Sequence, residues 1–419
     1  MRETTVKSTI LIVATLDTKK FEAQFVREQV EHLGCEAIVM DVGILGDVEP
    51  DVAIDRLSVA KSGGANLPAL VAAGDKGACI RTMIRGAETT AEKLFADGRF
   101  QGVIGIGGAQ GTDIGTAAMR ALPFGVPKFM VSTVACGQAT FGPYVGTKDI
   151  VMMHSVADIQ GLNPITRSVL SRAAAAIVAM VETGRRDVSS QMDRARSLAI
   201  GVSMLGTTTP GALRAKEMLE RHGLEFVAFH QNGTGGIAME EMIREGAFRA
   251  VLDLNLHEIG DRFFGGLHGA ITDGRLETAA ELGVPQVIAP GSINYTVQGP
   301  FATLPDEIKR RKHIVHNTNL TLVRLLPDEM REVGRITAEK INRCTGPVHV
   351  FIPRAGFCYP DREGGPLWEP EGNQAFIESL RAGLRADVPY DEIDAHINDS
   401  QFIDPAVAEL LELAQLHKG

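Results

Sequence analysis

Short runs of β-branched and other apolar residues alternate with amphipathic stretches along the whole chain. Residues 9–16 form a continuously apolar run, residues 21–33 carry apolar side chains at helical spacing, and residues 36–43 are again apolar. Strand, helix and strand in this order predict parallel pairing through right-handed crossovers. The alternation restarts with a predicted strand at 197–205, after the polar stretch 185–197, which we interpret as a linker.

The length of the chain predicts two hydrophobic cores. Its 419 residues exceed the size of one typical domain. We therefore expect an α/β protein with two Rossmann-like three-layer domains, mainly parallel sheets and an interdomain cleft. The predicted boundaries are 1–190 for an N-terminal nucleotide-binding domain and 197–419 for a C-terminal α/β domain.

Composition and charge restrict the classes of partner and compartment. The formal net charge is −10 and no run is dense in lysine and arginine, so we expect neither a nucleic-acid nor a membrane partner. No run approaches the roughly 20 apolar residues of a membrane span, and the N-terminus lacks the pattern of a signal peptide. The five cysteines are dispersed without a C-x-x-C pair, which is typical of reduced thiols. We therefore expect a cytoplasmic protein without a metal site of its own.

The stretch GVIGIGGAQGTDIGTAAMRAL, residues 102–122, has the pattern of an anion-binding turn. Gly107, Gly108 and Gly111 predict a strand-to-helix turn whose backbone N–H groups can approach an anion at the positive end of the helix. We expect Thr112 to cap that helix through its hydroxyl. No G-x-x-x-x-G-K-[ST] motif occurs in the chain, which excludes a Walker-type ATPase. The alternative is a tightly packed turn without a ligand.

Two further loops at predicted strand ends, 15–20 and 132–149, share this small and polar composition. In open parallel sheets, ligands bind outside the carboxyl ends of the strands. We therefore expect the three loops to surround phosphate together. The neighbouring residues that can supply positive charge are Lys19, Lys20, Lys128 and Lys148.

A dinucleotide is the rival ligand. Gly233, Gly235 and Ala238 form G-x-G-x-x-A after one predicted strand and before a helix, and Asp253 lies near the end of the next strand. This pattern makes an NAD-dependent oxidoreductase an alternative. The fingerprint normally follows the first strand of its domain, whereas this one follows the second.

The candidate catalytic residues lie in the C-terminal half. His230 ends a predicted strand beside the turn NGTGG, and Asp394 and His396 point the same way if their segment is extended. A carboxylate beside an imidazole can orient a general base or hold a divalent ion. The alternatives are an edge histidine bonded within the protein for His230 and, for DAHINDSQF, a helix entry capped by Asp399 or Ser400.

Ten motifs occur in a fixed order along nearly the whole chain. They are TLDTK, IGIGGAQGT, ALPFGVPKFMVST, PYVGTKDI, MMHSVADIQGLN, FHQNGTGG, VLDLNLHE, IAPGSINY, NRCTGPVHVFIP and DAHIND. Together they resemble the uncharacterised family that shares its ATP-binding region with the tomato mosaic virus resistance protein. The resemblance implies two α/β subdomains, a tendency to dimerise and ATP as a ligand of the first subdomain.

The resemblance also implies a set of nucleotide-binding positions. In this chain they are Asp17, Thr18, Lys19, Gly107, Gly108, Gly111, Thr112, Ser132, Thr133 and Gly146. The chain departs from the family pattern at Ala14, Lys20, Ala109, Gln110 and Asn294. An aspartate is expected at the last of these positions, and the difference bears on any shared chemistry.

Residues and resemblance together predict a homodimer that binds ATP, with or without Mg²⁺, or a related phosphorylated ligand, and acts on a small metabolite. The expected substrate contacts are Asn232, Gly233, Thr234, Gly235 and Asn294. Besides the oxidoreductase, the alternative is a non-catalytic module whose nucleotide orders a protein-binding surface.

Overall fold

The computed structural model describes residues 7–49, 52–136, 142–272 and 274–415, without the side chains of 185–196. The chain divides into two compact units, Met1–Gln191 and Met192–Gly419. Each unit contains a parallel β-sheet flanked by helices. This arrangement confirms the predicted α/β class with two domains.

The described part of the N-terminal unit has five strands. They are β1 (Thr9–Ala14), β2 (Glu36–Asp41), β3 (Gly102–Gly107), β4 (Lys128–Ser132) and β5 (Ile150–His154). Its helices are α1 (Leu16–His32), α2 (Arg56–Ser62), α3 (Leu67–Ala72), α4 (Lys76–Ala96), α5 (Ala109–Arg120), α6 (Gly142–Val145) and α7 (Pro164–Leu198). The strands are all parallel and lie in the order β2-β1-β3-β4-β5.

Helices cover both faces of this sheet, because successive side chains of a buried strand point to opposite sides. On one face, Ile12 of β1 belongs to a core cluster with Val26 of α1 and Ile177 of α7. On the other face, Leu11 belongs to a cluster with Met83 of α4. The unit therefore has three layers, with the sheet in the middle.

Helix α7 continues through the stretch 185–197, and the division between the two units, after Gln191, lies within it, so the predicted linker is helical. That stretch contains no proline, and nothing in it stops the hydrogen-bond pattern of the preceding turns. The segment Pro164–Gly184 is long and apolar enough to cross a membrane by length and composition. Its side chains Val169, Ala173 and Ile177 lie in the core against the sheet, which accounts for its apolar character.

The described part of the C-terminal unit has nine strands. They are β6 (Ala199–Met204), β7 (Glu225–His230), β8 (Ala250–Asn255), β9 (Gln286–Gly291), β10 (Tyr295–Gln298), β11 (His313–Val315), β12 (Thr321–Arg324), β13 (Val348–Pro353) and β14 (Tyr390–Ile393). Its helices are α8 (Thr209–Arg221), α9 (Thr234–Arg244), α10 (His257–Phe264), α11 (Thr278–Glu281), α12 (Asp306–Lys309), α13 (Pro327–Ile341), α14 (Pro370–Gly383) and α15 (Ser400–Leu413).

Six of these strands form a parallel sheet in the order β14-β13-β9-β8-β6-β7, and the other three form a small antiparallel sheet in the order β10-β12-β11. Both parallel sheets reverse their strand order at the first strand. In the first unit β2 pairs with one edge of β1 and β3 with the other, and in the second unit β7 and β8 pair with opposite edges of β6. Ligands of such sheets bind outside the carboxyl ends of the strands at this reversal point. The loops after β1 and β3, and after β6 and β8, lie there.

The hydrophobic pattern missed the short elements. Helices α2 and α3 lie within 46–74, which has no helical periodicity, and they begin where the side chains of Asp55 and Asn66 cap their first amides. Strands β10, β11, β12 and β14 have three or four residues each. So few positions do not define a period, and pairing with neighbours decides their conformation.

Candidate functional site

Helix α1 begins at Leu16, directly after β1 and earlier than its apolar pattern indicates. Within its first turns, Lys19 has a non-helical backbone with φ −126° and ψ 25°. The Lys19 side chain is 8% exposed, and its Nζ lies 3.5 Å from Oε1 of Gln160. A nearly buried ammonium group therefore lies near the carboxyl end of β1, and within the described residues its hydrogen bond is the long one to Gln160.

Asp17 and Thr18 organise the loops next to Lys19. The Asp17 carboxylate accepts hydrogen bonds from the backbone N–H groups of Ile44 at 2.9 Å and Leu45 at 3.0 Å. It thereby fixes the loop after β2, and the two amides partly balance its charge. The Thr18 hydroxyl lies 3.1 Å from the hydroxyl of Thr15.

The turn between β3 and α5 contains one glycine that is required by close packing and one whose surroundings leave space for a side chain. A Cβ atom on Gly107 would lie 2.7 Å from the Cα of Gly111, so the turn closes only with glycine there. A Cβ on Gly108 would meet nothing nearer than Oγ1 of Thr133, at 3.7 Å. Gly108 is the N-cap residue of α5, and no side chain among the described residues caps this helix. The amides of its first turn therefore have no partner within the helix.

Thr112 does not cap α5, contrary to the prediction. The helix already begins at Ala109, so Thr112 lies inside it and is fully buried. Its hydroxyl lies 2.6 Å from Oγ of Ser132, which accepts a hydrogen bond from the Val134 backbone at 3.1 Å. Thr112 and Ser132 thus join α5 to β4 beneath the turn, and neither hydroxyl reaches solvent.

Thr133 lies beside the turn, with its Oγ1 3.7 Å from the position of a Cβ on Gly108, whereas Gly146 lies next to Arg120. The backbone N–H of Thr133 donates to the carbonyl of Gly107 at 3.2 Å, which holds β4 against β3. Gly146 has φ +58° and follows α6, next to the side chain of Arg120. Part of the predicted loop 132–149, residues 137–141, lies outside the described residues.

A pocket of about 540 Å³ lies outside the carboxyl ends of β1 and β3, within the N-terminal unit. Half of the predicted nucleotide-binding positions line it, namely Asp17, Thr18, Lys19, Gly108 and Gly111. The sequence analysis missed the other walls, which include Ile44, Leu45, Val71, Lys76, Cys79 and Gln160. Gln160 lies in the motif MMHSVADIQGLN, but no motif marks the others: Ile44 and Leu45 follow β2, and Val71, Lys76 and Cys79 lie in α3 and α4.

The other basic candidates are placed elsewhere. Lys20 is exposed and pairs with Glu49 at 2.6 Å. The Lys128 side chain is fully buried and donates to Asp149 at 2.7 Å and to two backbone carbonyls. Neither residue lines the pocket, whereas Lys19 does. The pocket therefore brings one nearly buried cation, Lys19, to the positive end of α5, and its other charged lining residues are Asp17, Asp75 and Lys76.

In the C-terminal unit, Glu258 occupies the glycine turn that resembles a dinucleotide fingerprint. Its Oε1 accepts hydrogen bonds from the backbone N–H groups of Gly233 at 2.7 Å and Gly236 at 3.0 Å. A Cβ on Gly235 would lie 1.8 Å from the carbonyl oxygen of His230, so that glycine serves close packing. The amides that would hold a pyrophosphate are thus used within the protein.

Arg275 is the centre of a buried ion cluster beside this turn. It donates to Asp253 at 2.6 Å and to Gln231 at 2.9 Å, and it lies 3.3 Å from Glu240 and 3.5 Å from Glu258. Burial raises the pKa of Glu258 to about 7, against the opposing effects of Arg275 and the two amide donors. Asp253 is fully engaged and cannot accept a ribose hydroxyl. These contacts contradict the dinucleotide interpretation based on Gly233, Gly235 and Ala238.

Two histidines that the sequence analysis did not single out form a hydrogen-bonded chain. The Nδ1 of His257 lies 3.1 Å from the carbonyl oxygen of Ser292, and its Nε2 lies 3.2 Å from Nδ1 of His268. His257 is fully buried, and burial lowers its pKa to about 4, so it is neutral at pH 7. His257 lies in the motif VLDLNLHE and opens α10, whereas His268 lies in the loop that follows and in none of the ten motifs.

A second pocket, of about 1010 Å³, lies within the C-terminal unit. His268 and the exposed His230 line it, together with Thr207 from the loop after β6. The antiparallel sheet contributes an apolar wall that includes Ile314 and Leu322. Among the described residues, no group of three or more His, Cys, Asp and Glu side chains is arranged to hold a metal ion.

The predicted substrate contacts separate in the structure. Asn232 lines the second pocket, and the Thr234 hydroxyl donates to its side-chain oxygen at 3.1 Å. Asn294 is fully buried, with Nδ2 donating to Asp361 at 2.8 Å and Oδ1 accepting from Cys358. Asn294 is therefore part of the core and does not contact a ligand.

His396 and Asp394 do not form the predicted base and carboxylate pair. His396 is buried, its Nε2 donates to the carbonyl of Cys358 at 2.9 Å, and its Nδ1 accepts from the backbone of Asn398 at 3.1 Å. Asp394 is exposed on the surface. The segment is instead a helix entry with Asp399 at the N-cap position of α15, although without a side-chain capping bond.

Comparison of the chain with known proteins identifies the family to which it belongs. Residues 8–186 match the N-terminal domain model, and residues 197–414 the C-terminal domain model, of the Uncharacterised protein family (UPF0261). The "UPF0261 protein" of Clostridium tetani is 38% identical over 97% of this chain and 99% of its own length. The "ToMV resistance protein Tm-1(GCR237)" of Solanum lycopersicum is 34% identical over 81% of this chain and 45% of its own length.

Among solved structures, MurG of Acinetobacter baumannii is 12% identical and covers 98% of this chain and 100% of its own, with a TM-score of 0.22. That score is too low to carry an argument. The two domain models and the relatives are sufficient by themselves. This chain belongs to the uncharacterised protein family UPF0261.

Proposed function

We propose that the N-terminal unit binds ATP, or a related phosphorylated ligand, in the 540 Å³ pocket at the ends of β1 and β3. The observation that carries the proposal is the convergence of Lys19 with the uncapped first turn of α5. The backbone amides of Gly108–Gly111 supply partial positive charge, and Lys19 supplies a full one. A phosphate group between them would satisfy both.

The remaining walls of the pocket suit the nucleoside. Ile44, Leu45, Val71 and Cys79 contribute apolar lining to the pocket. The volume lies within the range of pockets that hold drug-sized molecules, roughly 300–1,000 Å³. An apolar wall beside a cationic end matches a base and sugar that carry phosphates.

We propose a cytoplasmic location, where the five cysteines, which form no disulfide among the described residues, would stay reduced. The metabolite on which it acts would be bound by the C-terminal unit, in the pocket of about 1010 Å³. The homodimer implied by the family resemblance stays a prediction.

Calorimetric titration of the full chain with ATP, ADP and NAD tests the proposal. We expect ATP to bind and Lys19→Met to weaken it roughly 10- to 100-fold, because a hydrogen bond to a charged group contributes about 1.5–3 kcal/mol. Lys20→Met is the matched control: it removes the same charge from the next position, outside the pocket. We expect it to change the affinity by less than about twofold.

Thermal unfolding without ligand establishes that both variants are folded. Equal ATP affinities of the Lys19→Met and Lys20→Met variants would contradict the proposed phosphate position. Tight binding of NAD without binding of ATP would overturn the function itself.

A further inference from the structure

The hydrogen-bonded chain in the C-terminal unit determines which nitrogen of His268 carries its proton. A carbonyl oxygen only accepts, so Nδ1 of His257 must donate to Ser292. The Nε2 of neutral His257 then carries no proton and accepts a hydrogen bond. The donor of that bond is Nδ1–H of His268. Nε2 of His268 is left with a lone pair, and within the described residues no group donates to it.

The surroundings keep His268 neutral near pH 7. Burial lowers its pKa, and the nearby His230 acts in the same direction. The carboxylate of Asp261 opposes this effect, but it is itself held by the Thr296 hydroxyl at 2.7 Å and the Val297 backbone at 2.6 Å. His257 is neutral and only donates and accepts hydrogen bonds. His268 is therefore a neutral imidazole with a defined tautomer at the wall of a pocket.

The other walls of the 1010 Å³ pocket indicate the class of ligand. Val297, Ile314 and Leu322 provide an apolar side that suits a hydrocarbon or aromatic body. Arg362 is the basic residue of the lining, but its guanidinium pairs with Asp399 at 2.5 Å, and Glu363 lies beside it. With its cation already paired, the pocket suits a neutral molecule better than a strongly anionic one.

We propose that this pocket is a second small-molecule site, in which Nε2 of His268 accepts a proton from the weakly acidic hydroxyl of a neutral ligand with an apolar body. The ligand's O–H bond breaks, the electron pair stays on its oxygen, and the proton forms an N–H bond on His268. An imidazolium and an oxyanion result as a pair. His257 is the positioning residue, because it sets the tautomer of His268 without reaching the ligand. This inference does not depend on nucleotide binding in the N-terminal unit.

The probe for this site is 4-nitrophenol, which has an aromatic body and one weakly acidic hydroxyl, and whose two protonation states absorb differently. Titrated into the full chain, it is expected to bind with its pKa lowered by roughly one unit or more, because the imidazolium that the transfer forms on His268 stabilises the oxyanion beside it. A pocket without a base would instead raise the pKa of the probe by desolvation. The direction of the shift therefore separates proton transfer from simple burial.

His268→Gln keeps a hydrogen-bonding side chain but cannot take a proton, and we expect it to abolish the downward shift. His222→Gln is the matched control, because His222 lies at the end of α8 and outside the pocket. An equal shift in wild type and His268→Gln would overturn the proposal, and so would absence of binding.

The tautomer is tested without any substitution by the ¹⁵N chemical shifts of the histidine rings in the labelled full chain. We expect protonated Nδ1 and unprotonated Nε2 on His268 at neutral pH. The opposite assignment would place the proton on the pocket side, and His268 could then not act as the acceptor.

Discussion

Ionisable groups are buried in both units. Lys19 keeps an ammonium group almost out of water beside the open end of α5, and Glu258 places a carboxyl group among amides and Arg275. A buried charge is stable only when its surroundings compensate for the lost hydration. In the N-terminal unit an anionic ligand would complete that compensation, whereas in the C-terminal unit the protein supplies most of it.

The titration of Glu258 makes stability depend on pH in a defined direction. Its pKa in the folded chain is about 7, above its ordinary value of 4.5. Between these values the folded chain retains a proton that the unfolded chain has released, so this carboxyl lowers the free energy of unfolding as the pH rises through the window. Below about pH 4.5 both states are protonated and the penalty is absent.

Glu258→Gln removes this titration while keeping an acceptor for the two glycine amides. We expect the variant to gain stability relative to wild type as the pH rises from 4.5 to 7, by up to about 3 kcal/mol for a shift of this size. Urea unfolding at the two pH values measures the difference. A difference that stays constant, or that falls with pH, would show that Glu258 is already ionised in the folded chain.

At the residue scale, short distances along the chain from a strand end were a sufficient guide to position. Gly108, Gly111 and Lys19 lie within five residues of the ends of β3 and β1, and all three line the first pocket, while their role in nucleotide binding stays a prediction. The interpretation of His396 was wrong because the burial of its ring depends on Cys358, a residue far away in the chain. The pair His257 and His268 was missed for the same reason, because the hydrogen bond that orients His257 goes to Ser292, which lies 35 residues further along the chain.

At the scale of elements, the turn between β3 and α5 joins two functions in neighbouring glycines. Gly107 permits the close contact with Gly111, and Gly108 leaves the first amides of the helix open. These roles predict opposite consequences for substitutions one residue apart.

Gly108→Ser places a good N-cap residue in a backbone conformation that already suits a cap, with φ −79° and ψ −158°. We expect stability to stay equal or to rise by up to about 1 kcal/mol, and ATP affinity to fall at least about tenfold, because the serine hydroxyl occupies the amides. Gly107→Ala should instead lower stability by about 1–3 kcal/mol through overpacking. Thermal unfolding and calorimetry on both variants test this pair, and unchanged ATP binding by Gly108→Ser would remove the helix end from the proposed site.

The periodicity of the sequence predicted the long elements, but it predicted their first residues less accurately. The pattern at 21–33 identified most of α1, but the helix starts at Leu16, where an amide donates to Asp41 of β2 at 3.0 Å. Helix α5 likewise begins before Thr112, so its cap residue is Gly108. Helix starts depend on where the first backbone N–H groups find partners, which periodicity does not report.

At the scale of the whole molecule, each unit has its own hydrophobic cores. The clusters around β1 and β3 contain only residues of the first unit, and those around β6, β8 and β13 only residues of the second. All residues that line the 540 Å³ pocket likewise belong to the first unit.

We therefore expect residues 1–191 expressed alone to fold cooperatively and to bind ATP within about twofold of the affinity of the full chain. Calorimetry on the fragment and on the full chain provides the comparison. A folded fragment with strongly reduced affinity would mean that the second unit contributes contacts to the nucleotide, as the predicted interdomain cleft requires.

The sequence by itself determined the α/β class, the two-domain organisation and the family of this protein. Periodicity, the apolar strand runs and the ordered motifs are local properties that survive without coordinates. Only the tertiary structure decided which polar groups face a pocket and which form hydrogen bonds inside the protein. Glu258 bonds to the glycine turn, and Ser132 bonds to Thr112. That distinction depends on hydrogen-bond partners far apart in the chain, and only folding brings such partners within bonding distance.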